Sequence, residues 1–91
     1  MVTHMVSKET TFDPLLKALG RVIYDRRNGM GISQQELARR SHLHRTYVSD
    51  VERGSRSVSL ITLCKLSGAL DTNASTVMQL AESACTQEEQ E

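Results

Sequence analysis

The chain has 91 residues, 38% of them hydrophobic and 3% aromatic, which suits a single domain with an aliphatic core and leaves no room for a large cofactor cavity. Its 11 basic and 11 acidic residues cancel at pH 7 but are segregated: residues 13–58 hold nine cations against five acids, an excess of +4, and residues 59–91 hold one against five, a deficit of −4. No apolar run is long enough for a membrane span and no continuous apolar leader stands ahead of a cleavage site, so the sequence predicts a cytoplasmic protein with Cys64 and Cys85 as free thiols.

Residues 1–12 show no periodicity and are expected to form a flexible arm. Asp13 is a good helix cap with Pro14 at the first helical position, and "LLKALGRVIYDRR" then places Leu15, Leu16, Leu19, Val22 and Ile23 on one stripe before "NGMG" ends the helix. Ser33 caps a second helix, "QQELARR", in which Glu36 completes a capping box and Leu37 and Ala38 face inward. A third helix, about residues 45–53, ends at Gly54. At 100° per residue Arg45, Ser49, Arg53, Thr46 and Asp50 share an outward arc of roughly 140°, opposite Tyr47, Val48 and Val51. Leu43 is placed to pack on Val48 as a hydrophobic staple. The fourth helix, "LITLCKLSGAL", is expected to bury Leu60, Leu63, Leu66 and Leu70, with Cys64 in the same core. A fifth, residues 74–84, offers Val77, Met78, Leu80 and Ala81. No strand pattern of period two occurs, so the fold is all-α, with the domain at residues 13–84 and an acidic disordered tail at 85–91.

Residues 33–54, "SQQELARRSHLHRTYVSDVERG", resemble the helix-turn-helix of the phage repressor and Cro family, the Xre-like regulators. Gln34 opens the first helix of the motif, Ala38 is the small residue at the helix crossing and Val48 closes the core. His42 replaces the glycine usual in the turn, and histidine tolerates positive φ better than most residues. The likeness runs from about Leu15 to Leu80 and implies a five-helix lambda-repressor-like domain, with the motif formed by helices two and three and the latter in the DNA major groove. Carried over by position, Arg45 and Thr46 lead the base readers, followed by Ser49 and Asp50. Gln34, Tyr47, Arg53, Ser55, Arg56 and Ser57 fall to the DNA backbone. "RTYVSDVERGSR" is especially similar to controller proteins of restriction-modification systems, where the tyrosine also approaches DNA. The resemblance further implies a structural ion pair between Glu52 and Arg27, while Arg26, Arg39 and Arg40 are read as solvated or steering charges.

The expected partner is a double-stranded operator, bound by a homodimer whose contact comes from Val77, Met78, Leu80 and Ala81. The sequence assigns no contact with RNA polymerase and no membrane partner. It has no phosphate loop, activated nucleophile or paired carboxylates, so an enzyme is not expected. His42 and His44 form H-x-H without further ligands, so no metal is expected, and no cofactor or inducer pocket is implied. The rival reading is a protein-interaction module such as an antitoxin-type domain. It would need an apolar anchor on the outward arc of the third helix, which has none.

Overall fold

The computed structural model describes the backbone of residues 5–90 and the side chains of residues 14–85. Five helices and no strands are found there: α1 (Met5–Gly29), α2 (Gln34–Ser41), α3 (Arg45–Arg53), α4 (Leu60–Ala69) and α5 (Ala74–Gln90). Helix α1 lies along α5 and crosses α3, while α2 packs on α3 and α4. Ile23, Leu37, Val48, Val51, Leu66 and Leu70 are fully enclosed between them.

The local start and stop signals explain the middle of the chain. Ser33 accepts a hydrogen bond from the Glu36 N–H at 3.0 Å, and Ser59 does the same for Thr62 at 3.1 Å. Asn73 starts α5 by accepting from the Thr76 N–H at 2.9 Å. The reciprocal half of the expected capping box is displaced, because the Glu36 carboxylate turns to Arg39 at 2.6 Å and Arg40 at 2.8 Å. Those guanidiniums, Arg39 first, hold the Glu36 carboxyl down to about 2. His42 ends α2 in the left-handed region with φ 59°, and Gly54 ends α3 with φ 74°.

Both ends of the chain depart from expectation. Helix α1 starts at Met5, so Pro14 lies inside it and residues 5–12 extend the helix rather than forming an arm. Proline removes one backbone donor, yet no glycine or further proline between Met5 and Asp13 stops helix propagation. Similarly, α5 continues to Gln90 through most of the expected tail. Gln and Glu contribute nothing to a core, but they are good helix formers.

The fourth and fifth helices correct three further expectations. Leu63, Leu66 and Leu70 are buried, but Leu60, in the first turn of α4, is 74% exposed. Cys64 is also exposed, one step round the helix from Leu63, and Ser67 takes a place on the buried side. Val77 and Ala81 belong to this chain's own core at 2% and 0% exposure, so they have no surface left for a second subunit. Met78 is partly buried against that core, and only Leu80 of the four faces solvent.

Two glycines fix how α1 meets α3. A Cβ on Gly20 would stand 2.3 Å from the Val51 carbonyl oxygen and 2.6 Å from that of Glu52. One on Gly54 would stand 2.7 Å from the Lys17 Cα. The two helices therefore touch backbone to backbone near both points, which brings the last turn of α3 over the C-terminal half of α1.

Candidate nucleic-acid interface

The close approach at Gly20 carries Glu52 to Arg27. Arg27 donates from Nε to Glu52 Oε2 at 2.6 Å and from Nη2 to Oε1 at 3.0 Å, with side chains only 10% and 3% exposed. Its remaining Nη1 donates to the Ile32 carbonyl at 2.8 Å, tying the α1–α2 connection to the same group. The hydrogen bond to Glu52 raises the Arg27 pKa above the usual arginine range despite the opposing effect of burial.

The pair extends outward. Gln34 Nε2 donates to Glu52 Oε1 at 2.9 Å, which leaves the amide oxygen of Gln34 turned to Arg45, whose Nη1 donates to it at 3.4 Å. A buried charge thus sets the direction of a side chain at the start of α2, and that side chain meets the first residue of α3. The turn between them closes by backbone bonds, with the Leu43 N–H donating to the Ala38 carbonyl at 2.9 Å. His44 precedes α3 without a side-chain cap, so its side chain leaves the first N–H groups of the helix uncapped.

Around α3 the two faces separate cleanly. Val48 and Val51 are 0% and 1% exposed, while Arg45, Thr46 and Arg53 lie in the open and Ser49 and Asp50 are half-buried beside them. An open recess of about 510 Å³ lies beside this arc, lined by Leu43, Thr46, Tyr47, Asp50, Arg56 and Thr62 among others. It is a surface with hydrogen-bond donors and acceptors on a rigid helix, held from behind by apolar contacts.

Residues 23–77 match the model of the helix-turn-helix family. The chain belongs to the Xre-like helix-turn-helix family of DNA-binding transcription regulators. It is 39% identical over 69 residues to control protein C.SmaI of Serratia marcescens, covering 76% of this chain and 82% of that protein. Over 39 residues it is 56% identical to control protein C.BamHI of Bacillus amyloliquefaciens, 43% of this chain and 48% of that one. Among solved structures it resembles the restriction-modification controller protein C.AhdI of Aeromonas hydrophila, with 42% identity, a TM-score of 0.67 and coverage of 68% of this chain and 94% of that one. The clp gene regulator ClgR of Corynebacterium glutamicum superposes with a TM-score of 0.78 at 29% identity, over 82% of this chain and 80% of that one.

Within this helix-turn-helix protein the residues beyond Gly54 fold back on the motif. Arg56 lies over the Tyr47 ring at 5.0 Å, and the Tyr47 hydroxyl donates to the Ser57 carbonyl at 3.3 Å. Ser55, itself exposed, donates from its N–H and hydroxyl to the Asp50 carbonyl at 3.1 and 3.2 Å. Arg53 donates to Ser49 Oγ at 2.6 Å and to Asp50 Oδ1.

Arg26 has a role that sequence reasoning missed. It is exposed, as a solvated charge would be, but it also caps a helix: its Nε donates to the Leu70 carbonyl at 2.8 Å and its Nη2 to that of Asp71 at 2.9 Å, closing the C-terminal end of α4. No local signal marks a contact 44 residues away. The bridging place of Gln34 was hidden for the same reason. Among the described residues no group of three His, Cys, Asp or Glu side chains is placed to hold a metal, and no helix is long and apolar enough to cross a membrane.

Proposed function

We propose that the protein is a sequence-specific regulator that binds double-stranded operator DNA as a homodimer in the cytoplasm, with α3 in the major groove. The observation that carries this reading is the division of α3 into a face sealed in the core and an arc of exposed polar side chains led by Arg45 and Thr46. Arg45 opens the helix and can fork onto guanine O6 and N7, while Thr46 can bond a base edge or touch a thymine methyl group. Ser49 and Asp50 follow along the groove. Gln34 at the start of α2, with Tyr47, Arg53, Arg56 and Ser57, supplies backbone contacts that fix register. The similarity to restriction-modification control proteins makes the promoter of such a gene set the first operator to try.

One short helix reads only a few base pairs, so two copies on half-sites about 34 Å apart supply the missing specificity. Because Val77 and Ala81 are enclosed, the dimer contact is assigned instead to Leu60 and Ile61, 74% and 69% exposed in the first turn of α4. That turn begins soon after α3 ends, so a contact there lies close in the chain to the helix proposed to enter the groove.

Selection of duplexes from a random pool, followed by gel shift at two salt concentrations, tests the DNA reading. An enriched two-fold-related sequence supports it, whereas binding that ignores sequence, or none, defeats it in favour of an interaction module. Ile61→Glu should leave the fold intact and shift the sedimenting species to monomer. A variant that remains dimeric removes α4 as the interface.

A further inference from the structure

Asp50 stands on the outward arc, yet its carboxylate is occupied. Oδ1 accepts from Arg53 Nη2, and Oδ2 lies 3.5 Å from Arg56 Nε, so one acid faces two guanidiniums, one at each oxygen. Its own side chain is only 20% exposed, while those of Arg53 and Arg56 are 61% and 55% exposed. Both arginines have second anchors, Ser49 Oγ for Arg53 and the Tyr47 ring for Arg56. The result is a cluster on the proposed DNA face whose cations are already facing an anion.

We propose that Asp50 acts as an internal substitute for a DNA phosphate, tethering Arg53 and Arg56 in the free protein and releasing them in full only on DNA that offers its carboxylate a replacement donor. The inference rests on the DNA-binding reading above and adds a source of specificity to it. A phosphate and a carboxylate compete for the same guanidinium fork, and exposed ion pairs are weak enough to exchange. Once the arginines leave, Asp50 lies in the groove as a desolvated acceptor. Of the base edges there, only the amino groups of cytosine N4 and adenine N6 can donate to it, whereas guanine O6 and N7 and thymine O4 present further acceptors. On the wrong sequence the carboxylate keeps its arginines and the backbone grip stays incomplete. On the right one, base reading and phosphate contact are gained together.

The test compares wild type and Asp50→Asn on a duplex selected by the wild type from a random pool and on a duplex of random sequence, at 50 and 200 mM salt. Asn keeps the shape and removes the charge, and thermal melts of both proteins control for folding. Asp50→Asn should bind the random duplex several-fold more tightly, with about one further phosphate contact per subunit steepening its loss between the two salts by about 3.5-fold for each subunit, about 12-fold for the dimer. Affinity for the selected duplex should not rise with it, so discrimination falls. Arg56→Ala should then weaken random-duplex binding more in the Asp50→Asn background than in the wild type. Unchanged or weaker random-duplex binding by Asp50→Asn, with the salt dependence unmoved, overturns the proposal and leaves Asp50 as a plain base acceptor. A pool that yields no preferred duplex for the wild type defeats the DNA reading itself and this inference with it.

Discussion

Two carboxylates on α3 each face arginine, and they differ in almost everything else. Glu52 meets Arg27 through two parallel bonds where neither side chain has more than 10% of its surface exposed. Asp50 meets Arg53 and Arg56 at the rim, where both arginines keep more than half of theirs. Buried, an ion pair has no water to replace a lost partner, so it can only be kept. Exposed, it is readily exchanged for solvent or for another anion. Two positions along one helix separate a structural pair from an exchangeable one, and the difference lies in the surroundings rather than in the charged groups.

Removing a partner from the buried side should have the largest effect. Glu52→Gln leaves Arg27 charged and unpaired and should lower the unfolding free energy by about 3–5 kcal/mol in urea titrations. A variant as stable as the wild type would erase the contrast. Next comes the function of the arginines tied to each side. Arg45, connected through Gln34 to the buried pair, should lose about 1–3 kcal/mol per half-site on the selected operator when changed to alanine, with relaxed preference at one base position. Arg56→Ala should instead leave base preference at each position unchanged, weaken binding to the selected duplex more than to a random one, where Asp50 retains the arginine, and reduce the salt dependence on the selected duplex by about one phosphate per subunit. Equal losses on every sequence for both variants would make the arc a uniform basic surface.

Smaller still is the stability effect on the exposed side, where Asp50→Asn should change the unfolding free energy by less than about 1 kcal/mol. A loss as large as that of Glu52→Gln would show that the rim cluster is structural after all. The smallest expected effect belongs to Glu36, another half-buried acid paired with two arginines. Its carboxyl is held down to about 2, from an ordinary value of 4.5. The folded protein therefore binds this proton less readily than the unfolded chain does, and the stabilisation is complete above about pH 4.5 and disappears as pH falls toward 2. Acid titrations of wild type and Glu36→Gln should show a slight wild-type advantage at pH 6 that is gone near pH 2.

What could be read in the sequence was what residues close in the chain decide. Ser33 and Gly54, with the spacing of Leu37, Val48, Leu63, Leu66 and Leu70, were enough to set out the three middle helices and the outward arc of α3. His42 takes the left-handed conformation that its place in the turn requires. The errors arose where a local signal competes with something distant or with simple propagation. Pro14 marks a helix start well but does not prevent the helix from beginning earlier. The apolar residues of α5 looked surplus because nothing in the sequence states how much of them α1 covers, and the packing of α1 on α5 encloses Val77 and Ala81. Gln34 joining Glu52 to Arg45, Arg26 closing α4 and Arg56 reaching Asp50 all depend on how the helices are arranged.

The contact at Gly20 bears on how such a protein acquires a new target. Helix α3 is seated on α1 by main-chain atoms at Val51 and Glu52, with no side chain between them. That contact is made by main-chain atoms, so it does not itself call on the side chains at positions 45, 46 and 49. On the DNA-binding reading proposed above, substitutions at those positions would change the preferred duplex while leaving this main-chain contact in place. A side chain at position 20 would remove that contact, so that every later change of target would begin from a displaced helix.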